Sequence, residues 1–113
     1  MASYANLFVD QGSDFRTNLV VEDSKSDPLD LTNLDLSGQI RRAPQSATAY
    51  DFVLEKADSV GGEIIIRLPD TTTSIMKSGR YVYDIYASDT VSGNDFKIIE
   101  GILEIIPRVT RTN

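Results

Sequence analysis

The sequence predicts an all-β protein, with about seven antiparallel strands stacked as a two-layer sandwich. Three observations predict it. Apolar and polar residues alternate in twos along most of the chain, and no long window shows a helical period. Turn-forming clusters such as Gln11-Gly12-Ser13, Asp58-Ser59-Val60-Gly61-Gly62 and the stretch 89–94 cut that alternation into short runs. At 113 residues, 41% hydrophobic and 25% charged, the chain is large enough for one two-layer core and too small for two.

The elements follow in order. Residues 4–10, Tyr-Ala-Asn-Leu-Phe-Val-Asp, read as a first strand at a sheet edge. Phe15, Leu19 and Val21 alternate with Arg16, Asn18 and Glu22, which gives a second strand with one buried face. The Asp- and Ser-rich stretch 23–33, with Pro28, is a loop long enough to cross between sheets. A third strand covers 36–42, with Ile40 inward and Gln39 and Arg41 outward. Residues 44–48 connect it to a fourth strand, 49–57, in which Tyr50, Phe52 and Leu54 oppose Asp51, Val53 and Glu55. The paired glycines 61 and 62 accept positive φ at no steric cost. A hairpin there leads into the fifth strand, 63–68, which buries Ile64, Ile66 and Leu68. Pro69 ends that strand. Asp70 is placed to cap a helical turn, 71–77, that tucks Ile75 and Met76 under the sandwich.

The sixth strand, 79–88, is the most strongly marked. It sets Tyr81, Tyr83, Ile85 and Ala87 on an inner face and Val82, Asp84 and Tyr86 on an outer one. Gly79 followed by Tyr81 resembles a tyrosine corner, in which a tyrosine hydroxyl ties the preceding turn to its own backbone. The last strand runs 95–107, and 108–113 form a polar, mobile tail. Hairpins join the fourth strand to the fifth and the sixth to the seventh, and the other connections are longer. That pattern is an immunoglobulin-like Greek-key β-sandwich, a single domain over 1–113. Strands one, two, five and four are expected in one sheet, and three, six and seven in the other.

The last strand is apolar on both faces, with Ile98, Ile102 and Ile106 on one and Ile99, Leu103 and Ile105 on the other. A β-bulge at Glu100-Gly101 that swaps the faces is one explanation. The other is an outer apolar patch of Ile98, Ile102, Val82 and Tyr86 that a second chain covers. Each isoleucine left in water forgoes about 1.5–3 kcal/mol of burial. Asp84 also faces outward on a central strand. Arg41 is its expected partner across the sheet, in an ion pair of about 0.2–1 kcal/mol.

Residue types narrow the function. The chain has no histidine and no cysteine, which removes the commonest general base, the thiol nucleophile and most zinc sites. Thr71-Thr72-Thr73-Ser74 has no neighbouring base, and Gly61-Gly62 precedes a strand rather than a phosphate-cradling helix. Asp23, Asp27 and Asp30 share one loop, so calcium is conceivable. Calcium needs about six to eight oxygens, however, and the spacing matches no EF-hand loop. Plain turn chemistry is the simpler reading. Neither catalysis nor a cofactor is expected.

Seventeen acidic residues outnumber eleven basic ones for a net charge of −6, which repels the phosphate backbone of nucleic acids. There is no run of 18 apolar residues to span a membrane. Nucleic acid and membrane are therefore not expected partners. The start lacks a basic and an apolar signal region, and the absence of cysteine fits folding in a reducing cytoplasm and equally fits later release outside it.

Five motifs then follow one another in a telling order. Asp10-Gln11-Gly12-Ser13-Asp14-Phe15 opens the chain, Pro28-Leu29-Asp30-Leu31-Thr32 follows, and Gln39-Ile40-Arg41 comes third. Gly79-Arg80-Tyr81-Val82-Tyr83-Asp84-Ile85 is fourth, and Glu100-Gly101-Ile102 with Pro107-Arg108-Val109-Thr110-Arg111 closes the set. Over nearly the whole chain this resembles small immunoglobulin-like virion proteins of tailed bacteriophages, those of marine and cyanobacterial phages included. It is less closely similar to the N-terminal module of phage baseplate proteins. The resemblance implies a structural part of the virion, in the tail, baseplate, neck or capsid, made in the host cytoplasm. It implies symmetric copies, other virion proteins as partners, and no active site. The missing cysteines and core tryptophan set the chain apart from antibody-type domains. The residues leave as the main alternative a carbohydrate-binding module that stacks sugars on Tyr4, Tyr50 or Tyr86, although Tyr50 is expected to face the core; an enzyme survives only if the loop carboxylates converge around a metal.

Overall fold

Two sheets face each other in the computed structural model, which describes residues 3–23 and 25–110. In chain order the elements are β1 (Ser3–Tyr4), β2 (Leu7–Asp10), β3 (Phe15–Val20), β4 (Leu34–Arg41), β5 (Tyr50–Asp51) and β6 (Val53–Asp58). Then come β7 (Glu63–Leu68), α1 (Asp70–Thr73), β8 (Gly79–Asp89) and β9 (Asp95–Ile106). The larger sheet has the order β1-β9-β8-β4-β5, with β2 also on β9, and the smaller has the order β3-β7-β6. The chain changes sheet between β2 and β3, between β3 and β4, between β5 and β6, and between β7 and β8. This is an immunoglobulin-like Greek-key sandwich. No helix among the described residues is long and apolar enough to cross a membrane.

Period-two alternation builds the core. Ile64, Ile66 and Leu68 of β7 are fully buried against Ile40 of β4, Ile85 of β8 and Leu103 and Ile105 of β9. Tyr81 and Tyr83 face the same interior. Each side chain of this size contributes about 1.5–3 kcal/mol by leaving water. The sheet ends are closed by Val21 and Leu31 from the long loop and by Met76 after α1, all buried.

Four expectations are corrected. The first strand does not join the second. It breaks into β1 and β2, and both run parallel to β9, with Leu7 opposite Leu103 and Val9 opposite Ile105. Inward Leu7 and Val9 satisfy the alternation against either sheet, so the period could not choose. A local contact chooses instead: the Ala5 N–H donates to the Glu100 carbonyl at 3.0 Å.

The fourth strand, expected whole over 49–57, divides at Phe52. Tyr50 and Asp51 pair with β4, whereas β6 pairs with β7. Phe52 is the crossing point. Its N–H donates to the Gly38 carbonyl at 3.1 Å, and its ring packs edge-on to Tyr83 with centroids 5.5 Å apart. A Cβ at Gly38 would lie 3.0 Å from that ring, so the crossing depends on the glycine.

The bulge lies earlier in β9 than expected. Ile85 faces Ile99 and Tyr86 faces Lys97, so Ile98 is the extra residue. Glu100-Gly101 keeps regular pairing with Asp84 and Tyr83. The face swap puts Ile98 inside, at 3% exposed, next to buried Ile99. Ile98 is therefore no part of an outer patch.

The helical turn is shorter than expected, and Asp70 is not its cap. Asp70 is the first helical residue, and its N–H donates to the Asp14 carboxylate at 2.8 Å, so the turn after β2 supplies the acceptor. Met76 is buried as expected, but Ile75 is 69% exposed. Of the expected tail 108–113, residues 111–113 lie outside the described residues. The Arg108 N–H lies 3.4 Å from the Gln11 side-chain oxygen.

Candidate interaction face

The outer face of the larger sheet gathers most of the residues singled out in the sequence. Three rows cross it at right angles to the strands. Tyr4, Glu100, Asp84, Gln39 and Asp51 form the first, one residue from each of β1, β9, β8, β4 and β5. Ile102, Val82 and Arg41 form the second, and Lys97, Tyr86 and Ser37 the third. Alternation along β8 is what delivers Val82, Asp84 and Tyr86 to this side while Tyr81 and Tyr83 turn inward.

Val82 and Ile102 are directly opposite and half-buried, an apolar strip in the middle of the face. The Asp84–Glu100 row separates the strip from exposed Tyr86, Tyr4 ends that row at the sheet edge, and exposed Phe8 stands beside Glu104 where β2 meets β9. Phe8 belongs to this surface and went unnoticed in the sequence. Its signal was present, since inward Leu7 and Val9 force it outward.

Arg41 and Asp84 do not pair. Arg41 is opposite Val82, one pair out of step, and Asp84 is opposite Gln39. The Arg41 guanidinium donates instead to the Ser46 carbonyl and, at 2.9 Å, to the Gln39 amide oxygen. Gln39 passes the connection on, donating to the Asp51 carboxylate at 3.0 Å. On its other side Asp84 is opposite Glu100, two like charges in register. Lys97 relieves that row. Its ammonium lies 3.4 Å from the Glu100 carboxylate and 5.9 Å from the centre of the Tyr86 ring. The Glu100 hydrogen bond and charge hold the Lys97 ammonium above its ordinary pKa.

The inward tyrosines have structural partners. The Tyr81 hydroxyl donates to the Lys77 carbonyl four residues back, at 2.6 Å, which is the closure of a tyrosine corner. The Arg42 guanidinium lies 4.3 Å over the Tyr81 ring, and Tyr50 meets the same ring edge-on at 6.3 Å. The Tyr83 hydroxyl donates to the Ala5 carbonyl, and burial pushes its pKa up to about 12.

The residues weighed for chemistry lie elsewhere and are engaged locally. Asp23 accepts from the N–H groups of Lys25 and Asp27, and Asp30 accepts from both the N–H and the hydroxyl of Thr32. Those Thr32 bonds, side chain first, hold the Asp30 carboxyl below its ordinary range. Thr73 is buried, with its hydroxyl on the Ser13 carbonyl, and Ser74 donates to the Asp70 carbonyl. Among the described residues no three acidic side chains converge as a metal site would require.

No family model matches the chain, and no curated protein matches it. Among solved structures it is similar to a family 123 glycoside hydrolase from Clostridium perfringens, with a TM-score of 0.44 and 11% identity. That likeness covers 95% of this chain and 23% of the hydrolase, so the chain spans about a quarter of that protein's length.

Proposed function

We propose that this chain is a non-enzymatic structural module of a phage virion, acting through protein–protein contacts. The outer face of the larger sheet is the observation that carries the reading. Its Val82–Ile102 strip sits on β8 and β9, the two longest strands, with Tyr4, Phe8 and Tyr86 exposed on the same face. A sheet face that sets a small apolar strip and exposed aromatic rings among charged rows has the make-up of a polar protein-binding surface. The ordered motifs that resemble phage virion proteins supply the particle and the expected symmetric copies. The local engagement of the hydroxyls and loop carboxylates supports an assembly role over a catalytic one. Mass spectrometry of purified particles tests this: the chain is expected in a fixed ratio to the major virion proteins, and its absence would overturn the proposal.

The carbohydrate-binding alternative keeps one supporting observation. Tyr4 and Tyr86 flank the polar row of Asp51, Gln39, Asp84 and Glu100. Tyr50 no longer supports it, since its ring packs edge-on against Tyr81. Binding on a glycan array that Tyr86→Ala abolishes would favour this reading over the first.

A further inference from the structure

The charges of this chain are sorted by end. The strands run along the long axis, since the 12 residues of β9 account for about 40 Å of a body 48 Å long. At one end the loop 21–33 meets the turns 58–62 and 89–94. The Leu31 N–H donates to Ser59 at 2.7 Å, and the Thr90 N–H to Asn33 at 2.9 Å. That end carries Asp23, Asp27, Asp30, Asp58 and Asp89, and Lys25 is the one cation in its three loops.

The opposite end is built from the turn 11–14, the loop 42–49, the segment 69–78 and the exit at 107–110. Gln11 donates to the Met76 carbonyl at 2.9 Å, and Arg42 to the carbonyls of Ser78 and Arg80 at 3.0 and 3.1 Å. Arg42, Lys77 and Arg108 lie in these segments with Asp14 and Asp70, and the adjoining strand ends add Arg16, Arg41, Arg67 and Arg80 with Asp10, Asp51 and Glu104, so this end carries a small excess of positive charge. The ion pairs among the described residues are Arg67–Glu55 and Lys97–Glu100, so Arg41, Arg42, Lys77, Arg80 and Arg108 form no close ion pair, although Arg80 stands in register with Glu104. Arg41 and Arg42 donate to backbone carbonyls, which leaves their charge unneutralised.

Apolar side chains mark the same two ends. Val60 and Val91, 71% and 81% exposed, stand at the tips of the acidic turns. Exposed Ile75 stands at the basic end, in a shallow cleft with Arg42, Lys77 and Tyr81. The ends lie about 48 Å apart, against a Debye length of ~8 Å in physiological salt, so neither end neutralises the other. What does complement each end is the other end of a second copy.

We infer that copies of this chain stack head to tail, the basic end of one seated on the acidic end of the next. The valine tips enter the Ile75 cleft, and exposed Lys77 and Arg80 face Asp27 and Asp95, the latter at the start of β9 beside the turn 89–94. The contact is heterologous, so stacking gives a ring or a filament rather than a closed two-fold dimer. This rests on the assembly reading above and deepens it by naming the contact between copies.

Sedimentation of the purified chain tests it, at about 0.1 M salt, where the Debye length is ~10 Å, and at about 1 M, where it is ~3 Å. Species heavier than the 12.5 kDa monomer are expected at the lower salt and the monomer at the higher. Two charge reversals sharpen the test, Lys77→Glu with Arg80→Glu, and Asp27→Lys with Asp95→Lys. Each is expected to be monomeric alone, and an equal mixture to associate again. Thermal melts establish that both variants fold, and the wild-type salt series needs neither. Wild type that stays monomeric at millimolar concentration in the lower salt overturns the inference, as does association that survives both reversals. A chain present in particles yet monomeric in both salts would refute stacking and leave the assembly reading standing.

Discussion

The hydroxyl of Tyr83 donates to the carbonyl oxygen of Ala5, 78 residues away in the sequence. The bond fixes the first strand to the larger sheet from beneath. Gly101 makes it possible: a Cβ there would lie 1.9 Å from that carbonyl oxygen. Tyr83 of β8, Gly101 of β9 and Ala5 in the break between β1 and β2 thus fix the first strands on the larger sheet.

Tyr83→Phe leaves the Ala5 carbonyl without its buried donor, a loss of about 1–3 kcal/mol. Gly101→Ala is expected to cost more, because the obstructing atom is backbone and the strand itself must move. Urea unfolding gives the two losses. Hydrogen exchange is expected to rise at 3–10 in both variants before it rises in β8.

The same tyrosine makes stability depend on alkaline pH. Its pKa is raised by burial from 10 to about 12, so the unfolded chain releases the proton first. The stabilisation is complete below pH 10 and is lost as pH climbs through about 12. Melting temperatures measured across that window are expected to fall more steeply for wild type than for Tyr83→Phe.

Tyr81→Phe removes the hydroxyl that closes the corner onto Lys77. The expected loss is about 0.5–1.5 kcal/mol with the fold intact. A melting temperature equal to wild type would mean that the 2.6 Å bond contributes nothing net.

Asp84 and Arg41 are expected to behave as strangers. Losses from Asp84→Ala and Arg41→Ala should add in the double variant, since neither touches the other. Asp84→Asn should be neutral or stabilising by a few tenths of a kcal/mol, about what opposed like charges cost, because Glu100 is its in-register neighbour. A coupling above ~0.5 kcal/mol between Arg41 and Asp84 would contradict this register.

Ile98 and Ile102 separate the core from the outer face. Ile98→Ala is expected to cost about 2–5 kcal/mol as a core truncation, and Ile102→Ala clearly less, since its side chain is only half-buried. Equal losses would put both residues on one side.

The inner faces were legible in the sequence because period-two alternation states which side chains turn inward. It does so for Tyr81, Tyr83 and Ile85, and for Ile64, Ile66 and Leu68. Alternation is silent on which sheet a strand joins. Leu7 and Val9 would be equally buried beside β3, and Tyr50, Phe52 and Leu54 keep their rhythm while the chain passes between sheets. Those choices rest on single contacts at Ala5, Gly38 and Gly101 that no period records. Register was illegible for the same reason. One extra residue at Ile98 was enough to take it out of the expected patch. The charge sorting lay in plain view in composition but needed the topology to bring distant loops to common ends.

The outer face of the larger sheet carries the functional account, and carboxyl footprinting of Asp84 and Glu100 tests it most directly. Labelling of the isolated chain is compared with labelling of the same chain in assembled particles. Both carboxylates are expected to react freely in isolation and to be protected in the particle, along with oxidation of Tyr86. Equal labelling in the two states would mean that the face stays open to water, and the account would be contradicted.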